Sequence, residues 1–320
     1  MALLKAQRSS GDYLADRRFA YAQAAAADND LDAARDLVLQ TLELAETFAP
    51  AWFLLGEIYE RCDDRAHAIE AYTRVLACDP SDELGAALHL GRLGVPPPAA
   101  ASPRFVASLF DHYADTFDTH LTQQLNYRGP LLLRRAWERL SKERSGGSMA
   151  GRVLDLGCGT GLAGLAFRDF ALSLAGVDLS PRMVEAAREK GIYDRLAVAA
   201  LEDFLAAEPE AQADLIIAAD VFVYIGDLAP VFRAARRALK TGGTLLFTVQ
   251  AAQGSFQADI QAVSQGAPYE IGSDLRFSHA ESYLREVIAA TGLTLALKED
   301  VATREDAGRP MPGYLMAVRA

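Results

Sequence analysis

The 320-residue chain predicts two folded parts: an all-α N-terminal region, then an α/β domain built on a parallel sheet. Three observations carry this. Residues 12–93 are rich in Ala, Leu, Asp and Glu with almost no β-branched runs, which is helical composition. The same region repeats itself at an offset of 34 residues, Asp30-Leu-Asp-Ala-Ala34 aligning with Asp64-Arg-Ala-His-Ala68. From residue 151 onward, apolar runs of strand length alternate with segments of helical spacing, the pattern of a sheet with helices on both faces.

The helical part comes first. In its second copy Trp52, Leu55, Gly56, Tyr59, Ala68, Tyr72 and Pro80 stand at spacings that resemble the tetratricopeptide pattern. Small residues sit where helices touch, and proline marks the turn to the next unit. The first copy keeps Tyr21 and Ala34 but lacks the tryptophan and the glycine. Residues 83–93 read as one closing helix, giving two repeats plus a cap, close to the minimum for a stable stack. Residues 94–104 form a proline-rich linker, because proline blocks helix propagation and stiffens the chain. An amphipathic helix over 105–120 aligns Val106, Leu109, Phe110, Tyr113 and Phe117. A helix over 131–140 and a flexible Ser145-Gly-Gly-Ser148 approach lead to the first strand.

The stretch that organises the α/β part is Val153-Leu-Asp155-Leu-Gly157-Cys158-Gly159-Thr-Gly161, with helical spacing after it. It reads as strand, tight turn and helix. The glycines remove side chains where a ligand must lie against the backbone, and a helix N-terminus suits an anionic group. Residues 159–164 also match the dinucleotide pattern G-x-G-x-x-G, so a nicotinamide oxidoreductase is a competing reading. The next strand, over 172–177, ends at Asp178, followed by Leu179-Ser180-Pro181-Arg182-Met183. Ser180 and Pro181 suit a helix start.

Leu154-Asp-Leu-Gly-Cys-Gly-Thr-Gly161 resembles motif I of class I S-adenosylmethionine (SAM) methyltransferases, and the Asp178 segment resembles their second motif. The resemblance implies a Rossmann-like seven-stranded domain with SAM as cofactor. It implies cofactor contacts at Asp155, Gly157, Cys158, Gly159, Gly161, Asp178, Leu179 and Met183, with Asp178 on the ribose hydroxyls. At Cys158 a small residue that fits the turn is favoured over a nucleophile. Many members carry an aspartate after the third strand; here Ala200, Leu201, Glu202 and Asp203 follow it, so the adenine contact falls to Glu202, Asp203 or a backbone amide. The fourth strand, over 214–220, ends in Asp220 at the cofactor edge, and Tyr224 just beyond faces the transfer site. The Phe-Asp-x-Tyr-Ala-x-x-Phe-Asp pattern resembles the segment before motif I in small-molecule enzymes, including those of ubiquinone and biotin pathways. There it covers the cofactor as a lid, and its tyrosine, here Tyr113, reaches the methionine end. His279, before the last helix, reads as a general base or as part of a helix cap beside Ser278. The catalytic candidates are therefore Tyr113, Tyr224 and His279.

Nearly the whole chain resembles a bacterial group of predicted methyltransferases with tetratricopeptide repeats. The expected organisation is repeats over 12–93, linker over 94–104 and methyltransferase domain over 105–320, with lid helices over 105–140 and sheet core over 151–320. The expected activity is methyl transfer from SAM to a small-molecule or partner-presented acceptor; the alternative is a catalytically silent SAM-binding scaffold. The net charge of −11 argues against a broad nucleic-acid surface. No apolar run approaches the roughly 18 residues of a membrane span. Cys62, Cys78 and Cys158 lack disulfide or zinc spacing and fit a cytoplasmic protein, and no metal is expected. The repeats offer a surface for a protein partner. The acceptor is not legible, because sulfonium chemistry fixes the donor side and leaves the nucleophile open.

Overall fold

The computed structural model of the protein describes residues 9–118, 127–142, 147, 149–252, 267–306 and 309–320. Residues 119–126 of the expected lid region and Ser145, Gly146 and Ser148 of the approach to the first strand lie outside these residues. Contacts divide the chain into two compact units, Met1–Phe105 with Ser273–Leu275 and Val106–Gly272 with Arg276–Ala320.

The first unit carries α1 (Tyr13–Ala27), α2 (Leu31–Leu44), α3 (Ala49–Arg61), α4 (Arg65–Cys78) and α5 (Ala86–Arg92). Asp12, Asp30 and Asp64 each cap a helix, accepting from the N–H of Ala15, Ala33 and His67. Asn29 (φ 64°) and Asp63 (φ 57°) turn the chain into the equivalent caps in the left-handed conformation that Asn and Asp tolerate, so the repeat extends to the backbone. The missing glycine of the first copy has a packing explanation. A Cβ on Gly56 would lie 2.7 Å from the ring of the fully buried Tyr72. The equivalent pair in the first copy is Ala22 and Val38, both fully buried: the smaller partner admits the larger helix residue. Arg61 ties the copies together, donating to Ala26 O at 2.9 Å and Asn29 Oδ1 at 2.7 Å. The proline-rich stretch is anchored as well. Ser102 Oγ donates to Ser81 O at 2.6 Å, and the Phe105 ring occupies the space over Gly85.

Helix α6 (Pro103–Tyr113) and a 3-10 turn (Ala114–Thr116) precede α7 (Gly129–Lys142). Strands and helices then alternate: β1 (Gly151–Leu156), α8 (Leu162–Phe167), β2 (Ala171–Asp178), α9 (Pro181–Glu189), β3 (Arg195–Val198), α10 (Leu201–Ala207), β4 (Ala213–Ala218), α11 (Ala229–Ala238) and β5 (Leu239–Ala251). The chain ends with β6 (Tyr269–Ile271), β7 (Phe277–His279), α12 (Glu281–Ala290), β8 (Thr294–Asp306) and β9 (Arg309–Arg319).

Strands β3-β2-β1-β4-β5 are parallel, in that order. β9 runs antiparallel to β5 along Thr244–Gln250, and β8 pairs with β9 outside it. These seven strands form the expected seven-stranded sheet, closed by the β8–β9 hairpin. β6 and β7 are additional, β7 pairing with the last residues of β5 and β6 pairing with β7. At three residues each they are too short for a period-two signal. Val153, Leu215 and Leu246 face Trp137, Leu133 and Phe167 on one side, while Leu154, Ile216 and Phe247 face Phe204, Phe232 and Leu284 on the other. Burial on both faces is why these strands read as continuous apolar runs.

Candidate cofactor and transfer site

The carboxyl ends of β1, β2 and β4 bring the sequence motifs to one edge of the sheet. Asp178 closes β2, and its two oxygens tie the glycine turn to the next helix: Gly159 N–H donates to Oδ2 and Ser180 N–H to Oδ1, both at 2.9 Å. Burial raises its pKa, opposed by these backbone donors. Ser180 caps α9 through Met183 N–H at 3.0 Å. Met183 is fully buried, so its side chain belongs to the core, while Leu179 remains partly exposed.

The glycines divide by what surrounds them. At Gly157 (φ 60°) an added Cβ would lie 2.4 Å from Val221 Cγ2, and at Gly164 it would lie 2.1 Å from Tyr193 Oη. The protein's own side chains fill those spaces. Gly159 differs: its nearest neighbour is the Phe117 ring at 3.7 Å, an ordinary contact. A backbone surface for a ligand is therefore concentrated at Gly159.

Asp155 lies in the body of β1, fully buried, and accepts a 2.6 Å hydrogen bond from Tyr193 Oη. Burial pushes its pKa up to about 7; the Asp178 charge adds to the rise and the tyrosine opposes it. Sequence reasoning missed Tyr193, which bridges Asp155 and the helix at Gly164 from a loop without motif character. The one signal was a glycine at 164 with no turn to make. Burial also raises the Cys158 thiol well above its ordinary range, so this cysteine stays protonated.

The segment before the first strand covers the turn. Ser180 Oγ donates to Asp111 Oδ1 at 2.5 Å, and Arg182 Nη1 donates to Asp111 O at 2.7 Å. Asp118 accepts from Thr160 Oγ1 of the glycine turn and pairs with Lys190 Nζ at 2.7 Å. Its aromatic residues interlock, Phe110 with Phe117 and Tyr224, and Tyr113 with Phe117. Tyr113 and Tyr224 thus meet one aromatic cluster.

Past β4, Asp220 (φ 60°) is fixed by its N–H donating to Thr248 Oγ1 at 2.9 Å. Arg304 reaches both of its carboxylate oxygens at 3.0 Å, and Arg276 stands 3.8 Å away. Neither arginine was singled out in the sequence, since they come from β8 and the β6–β7 turn, far from any motif. Leu201 is buried at the start of α10, Glu202 is half-buried and Asp203 exposed. His279 does not cap α12, whose cap is Ala280. It lies fully buried in β7, with Nε2 2.9 Å from Ile225 O and its ring stacked on Tyr283. Burial depresses its pKa to about 4, so the ring is neutral and its Nε2–H is the donor to the carbonyl.

A parallel sheet with a reversed closing strand, a glycine turn after its central strand and an acid ending the neighbouring strand define the architecture of class I SAM-dependent methyltransferases. The chain belongs to the methyltransferase-domain family, whose model matches residues 124–297, and residues 49–82 match the tetratricopeptide repeat. A ubiquinone biosynthesis O-methyltransferase of Xylella fastidiosa is 36% identical over 98 residues, 29% of this chain and 39% of that protein. A protein of the same description from Xanthomonas campestris pv. campestris is 34% identical over 101 residues, 30% of this chain and 42% of that protein. The chain thus spans about two fifths of the length of these relatives. A solved 1,6-didemethyltoxoflavin-N1-methyltransferase of Burkholderia thailandensis, with 1,6-didemethyltoxoflavin and S-adenosylhomocysteine bound, superposes with a TM-score of 0.48 at 17% identity, covering 70% of this chain and 92% of that one. Among the described residues no helix is long and apolar enough to cross a membrane.

Proposed function

We propose that the protein transfers a methyl group from SAM to an acceptor held beyond the carboxyl end of β4. The single observation that carries this is Asp178, ending β2 with Gly159 N–H on one oxygen beside the open face of the glycine turn. Each carboxylate oxygen retains a second lone pair, so the group can still accept from two vicinal hydroxyls. Gly159 supplies the open backbone surface, Gly157, Cys158 and Gly161 shape the turn around it, Leu179 flanks it, and Leu201 and Glu202 line the adenine end. Asp155 acts through Tyr193 and the turn. Bound there, the cofactor supplies a methyl group already activated on a sulfonium. The chain's task is to align the nucleophile with that methyl and exclude water, and the interlocked Phe110, Tyr113, Phe117 and Tyr224 suit both. Tyr113 and Tyr224 remain the candidates that touch the reacting groups. His279, neutral and committed to a carbonyl, serves the fold.

Titration calorimetry with SAM, S-adenosylhomocysteine and NADH tests the reading. Both sulfur ligands should bind and NADH should not; binding of NADH alone would return the oxidoreductase reading. Transfer of label from methyl-labelled SAM to a cell extract separates an active enzyme from a silent scaffold.

The repeats serve a protein partner, and their acidic character favours a basic or neutral one. Three unpaired cysteines fit the cytoplasm.

A further inference from the structure

Glycines of the turn, of α8 and of β2 give up their side-chain space to one ring. A Cβ on Gly161 would lie 3.1 Å from Tyr193 Cε2, one on Gly164 2.1 Å from its Oη, and one on Gly176 2.9 Å from its Cε1. The loop that carries this ring is pinned on both sides of it. Arg168 Nη1 donates to Ile192 O at 3.3 Å. Asp194 Oδ2 accepts from Leu174 N–H at 2.7 Å and from Arg168 Nη1 at 2.9 Å. Tyr193 is thus a fixed wedge between turn, helix and strand, and its hydroxyl ends on Asp155 Oδ2 at 2.6 Å.

Asp155 is the variable end of this wedge. Its neighbours across the sheet, Gly176 and Ile217, carry no charge. The ionisable groups that act with it are Tyr193, Asp178, the Cys158 thiol and the Tyr127 phenol. Burial lifts both phenols and the thiol well above their ordinary ranges, so they stay protonated near neutral pH. A hydrogen bond to a carboxylate is roughly twice as strong as one to a neutral acid. Protonating Asp155 therefore slackens the tether.

We propose that Tyr193 is a positioning residue for the cofactor: tethered to the Asp155 carboxylate, it holds the glycine turn in the form that leaves Gly159 open, and a proton on Asp155 slackens that hold. This rests on the methyltransferase reading of the site. Cofactor affinity is then proton-linked, full with Asp155 ionised and reduced with it protonated. The transition falls at about pH 7, where burial has raised the Asp155 carboxyl.

The test titrates the full chain with S-adenosylhomocysteine in a calorimeter at about pH 6 and about pH 8, on either side of that value, in wild type, Y193F and D155N. Wild type should bind about fivefold more tightly at the higher pH, the difference between a charged and a neutral hydrogen bond. Y193F keeps the ring that fills the glycine spaces and loses the tether. It should bind at both pH values with the wild-type affinity of the lower one. D155N, neutral throughout, should be equally flat. A wild type without the step, or a step that survives in Y193F or D155N, overturns the proposal. Wild type that binds no S-adenosylhomocysteine at either pH fails the methyltransferase reading and takes this proposal with it. Binding without the step fails this one alone.

Discussion

Gly159 and Gly164 sit five positions apart in one motif and answer to different demands. Gly164→Ala forces a Cβ into the Tyr193 hydroxyl, so it should destabilise the fold by about 1–3 kcal/mol, read by denaturant unfolding. Gly159→Ala meets no such neighbour and should cost about 1 kcal/mol for its positive φ, yet lose SAM binding, because the Cβ occupies the open face. Equal effects of the two on stability would refute the distinction. Asp178→Ala should weaken SAM binding by about 1–3 kcal/mol in calorimetry, the cost of leaving donors unpaired; an unchanged affinity would remove Asp178 from the site. Asp155 makes a pH prediction. Its folded pKa of about 7 stands above the ordinary carboxyl value near 4, so the folded state holds the extra proton between them. Its contribution to stability is whole below about pH 4 and is lost as pH rises toward about 7, on the order of a few kcal/mol. His279 runs oppositely: its depressed pKa gives a contribution present above about 6.5 and lost as pH falls toward about 4. Because the windows overlap, the check is the difference between wild type and Asp155→Asn, which should shrink the fall toward pH 7 and leave the acid limb.

At the scale of elements, the covering segment and the cofactor turn are joined by polar contacts. Asp111 meets Ser180 and Arg182, and Asp118 meets Thr160 and Lys190. Such half-exposed pairs are worth about 1 kcal/mol each and weaken with salt. Asp118→Asn should speed release of S-adenosylhomocysteine about fivefold in stopped-flow measurements, with less salt dependence than wild type. An unchanged release rate would mean that the segment does not gate the site. The repeats show another element-scale effect. Gly56 with Tyr72, and Ala22 with Val38, fill one junction with opposite division of volume. The first copy therefore departs from the pattern residue by residue while its packing is conserved.

For the whole molecule, the contact boundary at Phe105 and Val106 and the anchoring of Ser102 and Phe105 on the turn between α4 and α5 define two units with separate cores. A fragment beginning at residue 101, which keeps α6 entire, should fold cooperatively and bind SAM with the affinity of the full chain. A fragment that is soluble only when the repeats are added back would show one shared core. If the repeats recruit the acceptor or its carrier, the fragment should methylate the native acceptor more slowly than the full chain while SAM affinity holds.

The sequence by itself determined what local periodicity and local chemistry encode. Alternating apolar runs and helical spacings fix the order of strands and helices, because burial on two faces leaves its mark on every residue of a strand. The 34-residue offset fixes the repeats, and Asp155 to Gly161 with Asp178 fix the family, because a turn and the acid beside it lie close in sequence. The tertiary structure decided what depends on residues distant in the chain. Tyr193 fills the glycine turn from beyond α9, and Arg276 and Arg304 converge on Asp220 from 56 and 84 residues away. His279, read as a cap or base, is turned into a buried strand residue by the short β6–β7 pair. No spacing rule reports such meetings, since they are set by strand order and loop path.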